Sequence, residues 1–474
     1  MRISRKPAAF PLLAALACSL LILTFAAAER GPAGTPAGAL APAEPSDGEC
    51  FTVLVGRKAS ADGSVMVAHN EDDRGDIVVN LRKIAPGETG GGAAGLLWIE
   101  ATTQEFADSF VNGHGVLVTS DSCPSRVTAE DYTDGGIGGT LRRLVAEQAT
   151  SARDAVRIAG ELVEKHGYRA SGRTYSIADK KEAWMMAVLR GRRWYAQRVP
   201  DDAVAVIPNH FTIRGIRPDD PDHFMGSPGI VEYAKTNGWY DEAKDGPFDF
   251  KKAFDRPSTR EPAADGNALR HWRGLELITG KRWELRRDYP FSVEPAKKVT
   301  PEALMAILRD HYEGTEYDAT DGYKTGTPNR TKFRTICTSS TINAFVVSLD
   351  AQRPEPLSAA VWLALGKPDT TVFLPVYYGV GSLPAGALSL NAKVLELEKA
   401  VEADYGPMIG KLKREFSPVE KAFLAGRPEF EREFAALYRK DKAEALKKLD
   451  AYVAAAFVKV ETLTEKLLAG NKAN

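Results

Sequence analysis

An α+β fold is predicted by three features of the chain. A β-prone hairpin occupies residues 50–69, and four short apolar strands separated by polar or glycine turns follow between 175 and 207. Capped amphipathic helices are placed around them at 151–166 and 301–313. The short turns imply antiparallel pairing, and the helical segments carry apolar residues at helical spacing.

These elements begin only at Cys50. Arg2, Arg5 and Lys6 form a basic start, an apolar run follows over 8–25, and Ala26, Ala27 and Ala28 make a small-residue cleavage site. This pattern predicts a signal peptide over 1–28, hence a secreted or periplasmic protein with no stable membrane insertion after its removal. A run of this length is near the lower limit for spanning a bilayer. Residues 29–49 are rich in Ala, Pro and Gly and lack bulky apolar residues, so they cannot build a core. They read as a linker, or as a propeptide removed after Glu49. The formal net charge of −1 gives no reason to expect a nucleic-acid or anionic-membrane partner.

The hairpin opens with Cys50-Phe51-Thr52-Val53-Leu54-Val55, turns at Ser60-Ala61-Asp62-Gly63-Ser64 and returns through Val65-Met66-Val67-Ala68-His69. With the turn centred on Ala61 and Asp62, antiparallel partners have numbers summing to about 123, and Cys50 falls beside 72–74. The polar group His69, Asn70, Glu71 and Asp72 then returns to the cysteine end. If Cys50 is a chain terminus, its α-amino group, with a reference pKa of about 7.7–8.0, can accept the proton of a thiol near about 8.5. Asp72 would orient the ammonium so formed. Otherwise Cys50 is a buried or disulfide-bonded cysteine at a strand start. Three cysteines remain once Cys18 leaves with the signal. Cys123 and Cys337 are available to pair, which would leave one free thiol.

The strand at 175–178, those at 183–188 and 194–199, and the one at 204–207 read as one antiparallel meander. Helix 151–166 has Ser151 as cap and Gly167 as stop, and helix 301–313 has Thr300 as cap, Pro301 in its first turn and Gly314 at its end. Residues 388–474 read as mostly helical and charged, a packing appendage to a domain over 50–387.

Several motifs in order resemble one family. Cys50-Phe51-Thr52, Gly56-Arg57-Lys58-Ala59, Asp62-Gly63-Ser64 and Ala68-His69-Asn70-Glu71-Asp72 are followed by Asn112-Gly113-His114-Gly115-Val116 and Ser120-Asp121-Ser122. Leu308-Arg309-Asp310-His311-Tyr312-Glu313-Gly314 and Phe373-Leu374-Pro375-Val376-Tyr377 come later. Together they resemble the secreted dipeptidase A-type cysteine peptidases. These are N-terminal-nucleophile (Ntn) hydrolases, more distantly related to penicillin V acylase and bile salt hydrolase. The resemblance covers roughly 50–465. It implies an αββα sandwich of two antiparallel sheets, with 50–387 as catalytic domain and 388–474 as helical C-terminal region. It also implies cleavage of peptide bonds in small peptide substrates by an N-terminal Cys50, without a cofactor. Two positions depart from the family: His69 replaces an arginine, and Gly113 replaces a glutamate. Arginine is permanently charged and histidine is not, so activity would be weaker or depend differently on pH.

Catalytic roles are accordingly expected for Cys50, His69, Asp72 and Asn209, the last as an oxyanion-hole donor. Ser122, near a second backbone donor, and Arg334, resembling a late site arginine, are expected to bind substrate. The histidines show no paired ligand spacing, so no metal is expected, and His311 beside Glu313 reads as structural. Gly90–Gly95 fits a dinucleotide pattern formally but opens no helix, so it reads as a loop. An acylase for another linear amide, or a weakened Ntn fold with a binding role, are the alternatives to a dipeptidase.

Overall fold

The computed structural model describes residues 50–88, 95–102, 109–330, 332–384 and 386–472. The expected signal peptide over 1–28 and the linker or propeptide over 29–49 lie outside the described residues, as does most of the glycine-rich loop at 90–95.

Six strands make the first sheet: β1 (Phe51–Val55), β2 (Val65–Asp72), β10 (Val204–Ile207), β12 (Thr341–Leu349), β13 (Ala359–Ala364) and β14 (Leu374–Tyr377), in the order β10-β1-β2-β12-β13-β14. Eight make the second: β3 (Val79–Ile84), β4 (Leu96–Ala101), β5 (Ser109–Asn112), β6 (Leu117–Ser122), β7 (Tyr168–Ala178), β8 (Ala183–Gly191), β9 (Trp194–Arg198) and β11 (Phe224–Gly226), in the order β11-β9-β8-β7-β6-β5-β4-β3. Every paired register is antiparallel. The helices are α1 (Thr140–Gln148), α2 (Ala152–His166), α3 (Ile230–Thr236), α4 (Glu242–Asp245), α5 (Phe250–Phe254), α6 (Gly266–Thr279), α7 (Pro301–Leu308), α8 (Ala387–Ala403), α9 (Tyr405–Lys440) and α10 (Lys442–Lys472).

Side-chain alternation along the strands builds the layers. Leu54, Val67, Phe345 and Val347 of the first sheet share a buried cluster with Leu117, Met185 and Ala187 of the second. The opposite face of the first sheet, with Phe51, Val53, Ala68 and Val346, packs on Leu269 and Trp272 of α6 and Leu304 and Leu308 of α7. Val118, Trp184 and Met186 on the far face of the second sheet pack on Val145 of α1 and Val156 and Ala159 of α2. This is the αββα sandwich. The helices α8–α10 add Leu390, Val394, Ile409, Leu449 and Val453 to the first of these clusters. No helix among the described residues is long and apolar enough to cross a membrane.

The sequence expectations hold for α2, where Ser151 Oγ accepts from Asp154 N and Gly167 takes φ 76°. Three others need correction. The connection between β1 and β2 spans 56–64, because Gly56 is pinned under the Pro200 and Asp201 carbonyls and Ser60 bridges to Val299. Phe51 therefore pairs with Asn70 and Val55 with Met66, numbers summing to 121. The expected helix 301–313 stops at Leu308, because Asp310 Oδ1 accepts from Tyr312 N and Tyr312 takes φ 69°. Finally, β10 leaves the meander and pairs with β1 in the other sheet.

Candidate active site

The crossover of β10 and the register of β2 together assemble a polar pocket at the head of β1. Continuing the β1–β2 register by one residue puts Cys50 opposite Glu71. Cys50 is fully buried, and its Sγ donates to Glu71 Oε1 at 3.2 Å. Glu71 Oε2 lies 2.9 Å from His69 Nε2, and His69 Nδ1 lies 2.7 Å from Thr52 Oγ1. Thr52 Oγ1 in turn donates to Asp121 Oδ2 of β6 at 2.7 Å. Cys50, Thr52, His69 and Glu71 thus share the face of the first sheet that looks toward the second.

Electrostatics keep the thiol protonated in this arrangement. Burial pushes the Cys50 thiol well above its ordinary value, and the nearby carboxylates of Glu71, Asp121 and Asp72 push it further; a hydrogen bond from the Asp72 backbone opposes them. Burial alone would also raise Glu71. The hydrogen bond with His69 and the charges of His69, Arg142 and Arg173 outweigh it and hold that carboxyl below the usual range. Asp121 is pushed up to about 6, chiefly by burial. Arg142 and Arg173 reach this pocket from α1 and β7, each placing Nη1 3.2 Å from Ser120 Oγ.

A second group converges from four segments. Asp72 closes β2. Its Oδ1 accepts from Thr341 Oγ1 at 2.6 Å and its Oδ2 from Arg334 Nη2 at 2.7 Å. Asn209 follows β10 in a left-handed conformation, φ 69°, which Asn tolerates better than most residues and which marks a position held by its surroundings. Its Nδ2 donates to the Ser122 carbonyl at 2.9 Å, and its Oδ1 accepts from Arg270 Nη2 at 2.6 Å. Arg270 is fully buried on α6, and its Nη1 donates to the Cys50 carbonyl at 2.9 Å. Close approach of α6 to β1 permits this: a Cβ on Gly274 would come 3.2 Å from Phe51. Burial raises Asp72 well above the carboxylate range despite Arg270 and Thr341.

Of the residues singled out in the sequence, Asp72, Asn209 and Arg334 meet in one network with Cys50, through Arg270. Ser122 enters it by its carbonyl, which fixes the Asn209 amide. His69 reaches Cys50 only through Glu71, and its ring lies 5.2 Å from that of Phe345. Arg173 and Arg270 escaped sequence reasoning, and Glu71 and Asp121 entered it only as members of motifs, with no role of their own. Arg270 left one signal, as an arginine set among the apolar residues Leu269, Trp272 and Leu275 of α6. The Cys123–Cys337 pairing is not made: both are free, buried thiols. Burial pushes both thiols above their ordinary value. Cys50, His69 and Glu71 also place three metal-capable atoms close together, as do His311, Cys337 and Asp369. Beside Asn209 a cleft of about 450 Å³ carries Arg126, Lys251, Lys252, Arg256, Arg260 and Arg287 on its walls, with Asp255, Asp265 and Asp288 among them.

Two antiparallel sheets thus lie between helical layers, and Cys50 heads an inner strand of the first. The chain belongs to Peptidase family C69, which it matches over residues 49–87 and 111–397. Its relatives include a probable dipeptidase of Salmonella dublin, 25% identical over 365 residues that make up 70% of this chain and 81% of the relative. A probable dipeptidase of Latilactobacillus sakei is 26% identical over 400 residues, 75% of this chain and 82% of the relative. Among solved structures, penicillin V acylase from Agrobacterium tumefaciens aligns with 14% identity over 69% of this chain and 85% of that one, at a TM-score of 0.34.

Proposed function

We propose that this chain is a secreted dipeptidase whose nucleophile is Cys50, exposed as an N-terminal residue when the chain is cut after Glu49. The observation that carries the reading is the convergence on Cys50 of Asp72, Asn209 and Arg334, residues brought from distant strands and loops through the buried Arg270. The names of the relatives point the same way.

With Cys50 still in mid-chain, its thiol is buried among carboxylates and poorly ionised. Cutting the preceding bond supplies an α-amine on the same residue, and that amine takes the thiol proton. The thiolate attacks the substrate carbonyl carbon, and the oxygen becomes anionic. The Asn209 amide has one N–H committed to Ser122 and a second free to donate to this oxygen. Collapse expels the amine of the second residue, which leaves with the proton held by the α-ammonium. Water then attacks the thioester as the α-amine takes its proton; collapse releases the acid and the Cys50 thiolate, which recovers that proton from the α-ammonium. Asp72, anchored by Arg334 and Thr341, positions the ammonium. The basic walls of the cleft beside Asn209 suit the free carboxylate of a dipeptide.

The test is turnover of a dipeptide panel beside N-acyl amino acids, by wild type and Cys50→Ala. Dipeptide hydrolysis lost in the variant supports the reading. Hydrolysis of acylated substrates alone would reassign the chain as an acylase, and full activity in Cys50→Ala would remove Cys50 from the mechanism.

A further inference from the structure

The second group of metal-capable side chains lies outside the network around Cys50. His311 follows α7, Cys337 precedes β12, and Asp369 lies between β13 and β14. Cys337 Sγ is 3.5 Å from Asp369 Oδ1, and His311 Nε2 is 3.7 Å from Asp369 Oδ2. The three ligand atoms all lie within 4.8 Å of one another. His311 and Cys337 are buried, and His311 Nε2 makes no hydrogen bond although its side chain is only 1% exposed. A buried ring nitrogen that makes no hydrogen bond and approaches a carboxylate only to 3.7 Å requires an explanation.

Zinc supplies one. Bonds of about 2.3 Å to sulfur and about 2.0–2.2 Å to nitrogen and oxygen place tetrahedral ligand atoms roughly 3.3–3.6 Å apart. Cys337 Sγ faces Asp369 Oδ1 and His311 Nε2 faces Asp369 Oδ2 at about that spacing, one carboxylate oxygen to each partner. Behind the histidine, the Tyr323 hydroxyl lies 3.4 Å and Glu313 Oε1 3.5 Å from His311 Nδ1, polar groups that orient the ring as at zinc sites. Asp369 Oδ2 is itself held by the Tyr405 hydroxyl at 2.5 Å. A thiolate and a carboxylate neutralise a divalent ion, so the occupied site is uncharged where it is buried. Sulfur and imidazole also select against Mg²⁺ and Ca²⁺, which prefer oxygen.

We propose that His311, Cys337 and Asp369 bind a zinc ion, with water in the fourth position. A cleft of about 700 Å³, walled by Asp310, Glu313, Tyr323 and Asp369, reaches the site at Asp369. On binding, the Cys337 thiol loses its proton to solvent and a zinc–sulfur bond forms. Zinc here positions the site around Cys50. Cys337 lies between Arg334 and Thr341, the two residues that hold Asp72, so anchoring its sulfur anchors that segment.

The direct test is cobalt substitution in the purified protein. Wild type should carry close to one equivalent of zinc. After chelation, Co²⁺ titration should produce tetrahedral d–d bands and a sulfur-to-cobalt charge-transfer band, saturating at one equivalent. Cys50→Ala should keep that spectrum. Cys337→Ser should lose the charge-transfer band, and His311→Ala should weaken Co²⁺ binding at least tenfold. Absence of the bands in wild type would overturn the proposal, whatever the folding of the variants. So would their loss in Cys50→Ala, which would move the ion to Cys50, His69 and Glu71.

Discussion

Asp72 Oδ2 and Arg334 Nη2 lie 2.7 Å apart across 262 residues of sequence. Asp72 is almost wholly buried, while Arg334 keeps 19% of its side chain exposed. The pair therefore closes the pocket of Cys50 at its edge, and Arg334 is held from behind by the Tyr312 hydroxyl on its carbonyl.

Arg334→Met should leave Asp72 with only Thr341 and a more distant Arg270, 3.9 Å away. We expect kcat/KM to fall at least tenfold and stability to fall by about 1–3 kcal/mol. Asp72→Asn should cost more activity, since the carboxylate is lost altogether. In a double-mutant cycle the two changes should couple. Stability effects that add to within about 0.5 kcal/mol would show that the pair does not act as a unit.

Asn209 combines a left-handed backbone with an amide that has one N–H to spare. Asn209→Ala should reduce kcat by about 10²-fold, the size of losing one oxyanion donor. Asn209→Gly removes the conformational penalty but not the chemical one. It should regain stability over the alanine variant with no gain in kcat. A glycine variant as active as wild type would confine Asn209 to a backbone role.

His69 is fully buried, bonded to Thr52 and Glu71 and packed on Phe345. Permanent positive charge near the pocket already comes from Arg142 and Arg173. Restoring the family arginine by His69→Arg should therefore lower activity and stability, because a longer side chain enters a filled space. Glu71→Ala should leave the thiol without its acceptor and slow maturation. The check is kcat/KM against pH for wild type and His69→Arg. Higher activity of His69→Arg near neutral pH would show that His69 stands in for a missing cation.

Asp121 should make the protein less stable as pH rises from about 4 to about 6. Its carboxyl is raised in the fold to about 6 from an ordinary value of 3.8, so the folded state binds the proton more tightly than the unfolded state. Below about 3.8 both states are protonated and nothing is lost; above about 6 the full cost, about 3 kcal/mol, is present. Asp121→Asn keeps an acceptor for Thr52 and should flatten this part of the profile. Denaturant unfolding at pH 4 to 7 reads the difference, and parallel profiles would place the charge cost elsewhere.

Much of this was legible before the structure, and the failures have physical causes. Ser151 and Gly167 bound α2 because caps act locally. The β1–β2 pairing was visible in Cys50–Val55 and Val65–His69, but its register was not. A turn on Ala61 and Asp62 ignores the carbonyls of Pro200 and Asp201, which fold 56–64 into a longer connection. That error of two residues set Cys50 against 72–74 and hid Glu71. The crossover of β10 was invisible because Val204–Ile207 is apolar enough for either sheet. Yet it is what carries Asn209 to Cys50. Arg270, Asp121 and Arg173 reach the pocket from helices and strands whose approach is set by tertiary packing alone.

The identity of the first residue of the active protein tests the central claim most directly. Intact-mass and N-terminal sequencing of secreted protein that hydrolyses a dipeptide should show a chain beginning at Cys50, with everything through Glu49 removed. A fully active protein retaining residues before Cys50 would lack the α-amine on which the mechanism depends, and would contradict it.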